Sequence, residues 1–312
     1  MEFSNIIGNE EVKKQFVKNL EAKTFAHAHI IAGEDGSGKS LMAKSAAIKI
    51  LSKSIYQNYA DIIEFKTSKA SIGVDDIRVL IEETNKKPFE GDKKVIIIYN
   101  AEKITVQGQN AFLKTIEEPP KGVFIFLLCE NLEKILDTIK SRCQIHRLRR
   151  LSYEEMKLFL SKNYKNIKAE EMKPLIAFSD GIPGRVEKYF TDDAFRNIRN
   201  ITMEILISIT GKEVYELLKY EEQLMKYKNY WQDVLSSFIS YVRDALIYKE
   251  TGDEQYIINI DKIDEIKIIT DSFSYNKLNK IIDTISYVKD NMQSNVNPSV
   301  TFDMMLLKFQ EV

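Results

Sequence analysis

Gly33-Glu34-Asp35-Gly36-Ser37-Gly38-Lys39-Ser40 spells G-x-x-x-x-G-K-[ST], a pattern whose backbone can turn successive N–H groups onto phosphate oxygens. The glycines permit the turn and the start of a following helix favours an anion. Lys39 can reach β- and γ-phosphates, and Ser40 can ligate magnesium. ATP or ADP with magnesium is therefore the candidate cofactor, and a glycine-rich turn without a ligand is the other reading. Hydrolysis needs an acid at the end of a buried strand to hold the metal and a carboxylate to set the attacking water. Here the apolar run from Val95 to Ile98 leads into Tyr99-Asn100-Ala101-Glu102, so a phenol and an amide stand where two acids are expected. Glu102 lies three residues beyond the strand end, within reach of the metal only if the register slips.

Ser141-Arg142-Cys143 follows a helical stretch from about Leu132 to Ile139, which puts Arg142 at the rim of the domain carrying the phosphate loop. A planar guanidinium there could reach a γ-phosphate held by a neighbouring subunit, although arginines at helix ends also serve as solvated or capping groups. His27 and His29 flank Ala28 at the start of a strand, where alternation puts both on one face as packing groups. Lys121, Lys140, Arg147, Arg149 and Arg150 form a basic edge that suits a solvated or subunit-facing surface better than a DNA-phosphate contact. Trp231, Phe238 and Tyr241, spaced by seven and three, read as helix-core residues.

The elements that must position these groups fall into two kinds. Up to about residue 150, short apolar runs alternate with amphipathic stretches, the pattern of strands and crossover helices in a mostly parallel sheet. The spacing predicts strands over Ala28–Ala32, Asp61–Phe65, Val95–Tyr99 and Val123–Cys129. Helices are predicted over Lys39–Leu51, Val74–Thr84 and Val106–Glu118, the last ended by Pro119 and Pro120. After Leu151 only helical spacing remains, opened by the capping box Ser152-Tyr153-Glu154-Glu155 and punctuated by Gly181-Ile182-Pro183-Gly184. Three domains are expected: an α/β nucleotide-type domain over 1–150, a small helical domain over 151–195 and a larger helical domain over 196–312.

Composition bounds the partners. The chain has 312 residues, 44% of them apolar, and 45 basic residues against 46 acids, so no global field draws it to nucleic acid or membrane. Cys129 and Cys143 stand alone, which excludes a disulfide framework or a thiolate zinc site and fits a reducing cytoplasm. No basic stretch leads into an apolar one at the N-terminus, and the longest apolar run is too short to cross a bilayer.

Four blocks then bring a family into view: Ile6-Ile7-Gly8-Asn9, His27-Ala28-His29 leading into the phosphate loop, Asn110-Ala111-Phe112-Leu113-Lys114-Thr115-Ile116-Glu117-Glu118-Pro119-Pro120, and Ser141-Arg142-Cys143-Gln144. Together they resemble bacterial clamp-loader AAA+ subunits of the DNA polymerase III system. The resemblance implies a RecA-like AAA+ P-loop domain, a three-helix lid to about residue 195, and an all-α C-terminal collar that holds a five-subunit ring. Ser141-Arg142-Cys143 matches the family's arginine-finger motif. Within the family, three features resemble the stationary delta-prime type rather than the hydrolysing gamma and tau type. Tyr99-Asn100 replaces the acids, Cys129-Glu130 falls where a motor has a sensor threonine, and Gly184 stands where a motor carries arginine, with Arg185 displaced by one. The resemblance implies motor subunits, the delta subunit, the sliding clamp and primer-template DNA as partners. Many relatives carry a four-cysteine zinc module after the phosphate-loop helix, but residues 52–59 hold no cysteine, so no zinc is expected. An active gamma/tau-type ATPase is the alternative, while a small-metabolite kinase or a generic AAA+ remodelling factor fits these blocks less well.

Overall fold

Val95, Ile96, Ile97 and Ile98 are all fully buried, as a strand covered on both faces requires, and the sheet they belong to is parallel throughout. The computed structural model describes residues 3–22, 24–55, 57–165, 167, 169–191, 193–209, 214–294 and 296–311; the outer bounds of the expected domains, Met1 and Val312, lie outside them. Its strands are β1 (Ala28–Ala32), β2 (Ile62–Phe65), β3 (Lys94–Ile98), β4 (Val123–Cys129) and β5 (Gln144–Arg147), in the order β2-β3-β4-β1-β5. The register pairs Ile30 with Leu127 and Ile145, and Ile97 with Phe126. Between the strands run α1 (Glu10–Glu21), α2 (Lys39–Ile50), α3 (Val74–Asn85), α4 (Val106–Glu117) and α5 (Asp137–Lys140). One apolar layer joins Ile30, Ile96, Ile98, Ile125 and Leu127 to Phe112 and Ile116 of α4. The other joins Ile31, Val95, Ile97 and Phe126 to Phe16 of α1 and Met42 and Ala46 of α2.

Three features depart from the sequence pattern. Neither α1 nor β5 was predicted; β5 is a four-residue edge strand in which only His146 is buried, too short and polar to stand out. The helical stretch expected from Leu132 to Ile139 is broken. A 3₁₀ turn covers Leu132–Lys134, Ile135 and Leu136 are extended, and only then does α5 begin. Buried Gln109 explains the break: its amide donates to the carbonyls of Ile104 and Lys134 at 3.0 and 2.9 Å, and its oxygen accepts from Leu136 N at 2.8 Å, so those backbone groups are used outside a helix.

The chain divides into two compact units, residues 1–159 with 181–184, and residues 160–180 with 185–312, the first boundary falling inside α6 (Tyr153–Asn163). The capping box that starts α6 forms as its sequence requires: Ser152 N donates to Glu155 Oε2 at 2.8 Å and Glu155 N donates to Ser152 Oγ at 3.3 Å. The second unit is helical, with α7 (Ala169–Ser179), α8 (Pro183–Thr191), α9 (Asp193–Ser208), α10 (Val214–Met225), α11 (Trp231–Thr251), α12 (Ile263–Ser272), α13 (Tyr275–Gln293) and α14 (Pro298–Glu311). Within it α11 packs on α9, α12 and α13, and α10 packs on α14. Phe238 and Tyr241 are fully buried at the centre, with Trp231 half-buried beside them. Among the described residues, no helix is long and apolar enough to cross a membrane.

Candidate functional site

The phosphate loop connects the C-terminal end of β1 to the N-terminus of α2, and two of its glycines adopt backbone angles that other residues resist: φ is +80° at Gly36 and +95° at Gly38. Gly33 N donates to the Cys129 carbonyl at 3.1 Å, which ties the loop to the end of β4. Lys39 turns back on the loop, its Nζ donating to the carbonyls of Gly33 at 2.6 Å and Glu34 at 2.8 Å. Burial lowers its pKa, against the opposing charges of Glu130, Asp35 and Glu102. The Ser37 hydroxyl is enclosed without a hydrogen-bond partner among the described residues.

A cleft of about 180 Å³ opens in front of this loop, lined by Asp35, Gly36, Gly38, Lys39, Ser40, Tyr99, Asn100, Leu128 and Glu130. It is smaller than the roughly 300–1,000 Å³ usual for a whole small-molecule ligand. A phosphate group fits the glycine turn and the orphaned Ser37 hydroxyl. A magnesium ion is poorly served: Ser40 is present, but the Tyr99 hydroxyl is turned to Glu64, donating to its Oε2 at 2.8 Å, and Asn100 sits in the left-handed region at the strand end. Glu102 reaches the neighbourhood, where its Oε2 accepts from Glu130 N at 3.3 Å. Among the described residues, no group of three or more His, Cys, Asp or Glu side chains could hold a metal ion. The thiols are unreactive in character, burial pushing Cys129 up to about 11 and Cys143 up to about 12.

The Gly181–Gly184 segment, which leads into α8, belongs to the same compact unit as the loop and lies against it. Gly184 N donates to the Gly36 carbonyl at 3.0 Å, and a Cβ on Gly184 would stand 2.5 Å from Gly36 Cα. A side chain at position 184 therefore has no room in this arrangement. Arg185 pairs instead with Asp180, at 3.8 Å.

Arg142 follows α5 at the surface. Its Nη1 donates to the Thr138 carbonyl at 2.9 Å and its Nε lies 3.1 Å from Glu117 Oε2, at the end of α4. Three residues of the basic edge are matched by acids in the chain: Lys140 by Asp137, Arg150 by Glu34, and Arg149 by Glu155 in a two-pronged contact at 2.6 and 2.7 Å. The histidines separate, contrary to the alternation argument, because His27 precedes the strand. Its Nε2 meets the Ile116 carbonyl at 2.8 Å beside α4, whereas His29 is buried among Phe16, Phe25 and Phe126. Glu117 and Gln109 were not singled out from sequence, and in a helix that also carries Gln107, Asn110, Lys114 and Thr115 nothing local marks Gln109.

Two family models match in chain order: "DNA polymerase III, delta subunit" over residues 8–152, and "DNA polymerase III, delta subunit, C terminal" over residues 197–311. The subunit delta' of DNA polymerase III from Bacillus subtilis is 24% identical, over 96% of this chain and 95% of its own. The tau subunit of the same organism is also 24% identical, over 98% of this chain, but the chain spans only 61% of tau and a smaller share still of the gamma/tau proteins it matches. A Thermotoga maritima structure, described as a DNA polymerase III gamma subunit-related protein, superposes with a TM-score of 0.54 at 18% identity, over 95% of this chain and 99% of that one. With the two delta-subunit models following one another in chain order, and delta' relatives aligned over most of both chains, the chain carries the domains of the DNA polymerase III delta-subunit family, the first of them on a parallel α/β fold.

Proposed function

We propose that this chain is the stationary, delta-prime-type subunit of a DNA polymerase III sliding-clamp loader, which hydrolyses no ATP itself and supplies Arg142 to the ATP site of an adjacent motor subunit. The observation that carries the stationary reading is the end of β3. Tyr99 and Asn100 occupy the cleft where the two acids of a hydrolytic site would stand, and the Tyr99 hydroxyl is committed to Glu64. Lys39, engaged with loop carbonyls and surrounded by the charges of Glu130, Asp35 and Glu102, is compensated without a phosphate. Arg142 stands at the surface just after a short helix, with a fork that suits an equatorial phosphate oxygen. The motor subunits, the delta subunit, the clamp and primer-template DNA are the partners this role requires, and it is carried out in the cytoplasm.

The test is a titration of the purified chain with ATP and magnesium, following both binding and phosphate release. Binding without turnover, or no binding, supports the stationary role. A second reading, an active gamma/tau-type ATPase, draws on the carboxylates of Glu130 and Glu102 near Lys39. Steady turnover abolished by Lys39→Ala would establish that reading and remove the first.

A further inference from the structure

Glu117 is the last residue of α4 and Glu118 follows it, so two carboxylates stand at the negative end of a helix, where an acid is locally unfavourable. Pro119 and Pro120 then end the helix and push Glu118 out of helical geometry, with φ −129° and ψ 70°. Helix stability gives no reason for an acid here. What Glu117 does in the fold is hold Arg142, 25 residues along the chain and on a different element, with Oε2 3.1 Å from Nε. The pair is exposed, 35% for the arginine side chain and 55% for the glutamate, and such pairs add little to stability.

Its geometric effect is larger. Arg142 sits just after a four-residue helix, on an element too short to fix a long side chain by packing. Three contacts restrain the guanidinium: Glu117 at Nε, the Thr138 carbonyl at 2.9 Å from Nη1, and Ser141 Oγ at 3.4 Å from the same nitrogen. Nη2 makes no hydrogen bond among the described residues. Nε and Nη1 are thus engaged inside the chain, and Nη2 is left to donate outward. Of the three anchors, Thr138 and Ser141 belong to the arginine's own segment, so they move with it. Glu117 alone ties the guanidinium to α4, which is packed on the sheet through Phe112 and Ile116.

We propose that Glu117 is a positioning residue for Arg142, orienting the guanidinium so that Nη2 meets a phosphate oxygen held by the neighbouring subunit. This rests on the reading of Arg142 as a group acting in trans. Pre-orientation counts because a displacement of about 1 Å in a charge-stabilising group can cost about 10²-fold in rate.

The test uses the loader reconstituted with the full chain, with assembly checked by gel filtration. Single-turnover phosphate release then resolves the site completed by this chain as its own phase. Arg142→Ala should slow that phase by about 10³-fold or more. Glu117→Ala should slow it by about 10- to 100-fold, with the KM for ATP unchanged. Glu117→Gln keeps the side chain's length and an oxygen near Nε without the charge and should lose less than Glu117→Ala, and Glu117→Ala combined with Arg142→Ala should be no slower than Arg142→Ala alone. If Arg142→Ala slows the phase and Glu117→Ala does not, the positioning role is wrong and the trans role stands. Equal losses in Glu117→Ala and Glu117→Gln, or a further loss in the double variant, would also overturn it. If Arg142→Ala leaves the phase unchanged, the trans role fails and the proposal goes with it.

Discussion

Gly184 and Gly36 meet backbone to backbone, 148 positions apart in sequence, the Gly184 amide donating to the Gly36 carbonyl at 3.0 Å with no space for a Cβ on Gly184. The relationship links the start of α8 to the phosphate loop and makes position 184 a steric matter.

Gly184→Ala should therefore destabilise the first unit by about 1–3 kcal/mol, the usual cost of forcing a methyl group into a packed contact. The added Cβ meets backbone atoms, not the yielding end of a side chain. Thermal unfolding of the purified variant checks this. An unchanged midpoint would mean that the turn and the loop separate freely in solution.

Lys39→Ala offers a separate test of the stationary role. Because Nζ is spent on the Gly33 and Glu34 carbonyls, its removal should loosen the loop while leaving the ATPase of the assembled loader unchanged. Steady-state phosphate release by the reconstituted complex is the measurement. A marked fall would show that this chain turns over nucleotide within the ring.

How much of this was legible in sequence depended on whether the signal was local. The run Val123–Cys129 is a strand with the predicted bounds, since seven consecutive apolar residues fit a strand buried on both faces. The phosphate loop was equally readable, spelled by its own glycines and lysine. The third strand starts one residue early, at Lys94, because its ammonium is satisfied by the carbonyls of Glu83 and Lys86, and a buried lysine looks like a strand boundary. The break between Leu132 and Asp137 was hidden because it is imposed from outside by Gln109. The contacts of Glu117 with Arg142 and of Gly184 with Gly36 join residues whose spacing obeys no helical or strand period, so only the folded chain brings them into view.

In the second unit, Asp244 is fully buried. One carboxylate oxygen accepts from Ile258 N at 3.0 Å, Asn259 N at 2.7 Å and Asn259 Nδ2 at 2.8 Å, and the other takes the Arg243 guanidinium. Asp244→Ala leaves these donors without an acceptor and should cost about 3 kcal/mol or more, since each buried group left unsatisfied costs about 1–3 kcal/mol. Asp244→Asn, which keeps the shape and one acceptor, should lose less. Urea denaturation of both variants measures the difference. Equal stability of Asp244→Ala and the parent chain would mean that water satisfies these groups in solution.

The buried pair His29 and His146 should make the first unit sensitive to acid. His29 Nε2 lies 2.8 Å from the Ala26 carbonyl, which can only accept, so that nitrogen carries the proton and Nδ1 is left to accept from His146 Nε2, 3.0 Å away. His146 Nδ1 is then a bare lone pair, buried without a partner among the described residues. Burial holds both rings well below the ordinary histidine value of 6.5, His29 at about 3 and His146 at about 4. Between pH 6.5 and those values the unfolded chain binds more protons than the folded one. The pair's contribution is therefore fully present above about pH 6.5 and is lost as the pH falls toward 4. Urea midpoints from pH 8 to pH 4 should fall across that window, and replacing both rings by leucine should flatten the decline. A decline of equal slope in the double variant would assign the acid sensitivity to carboxylates instead.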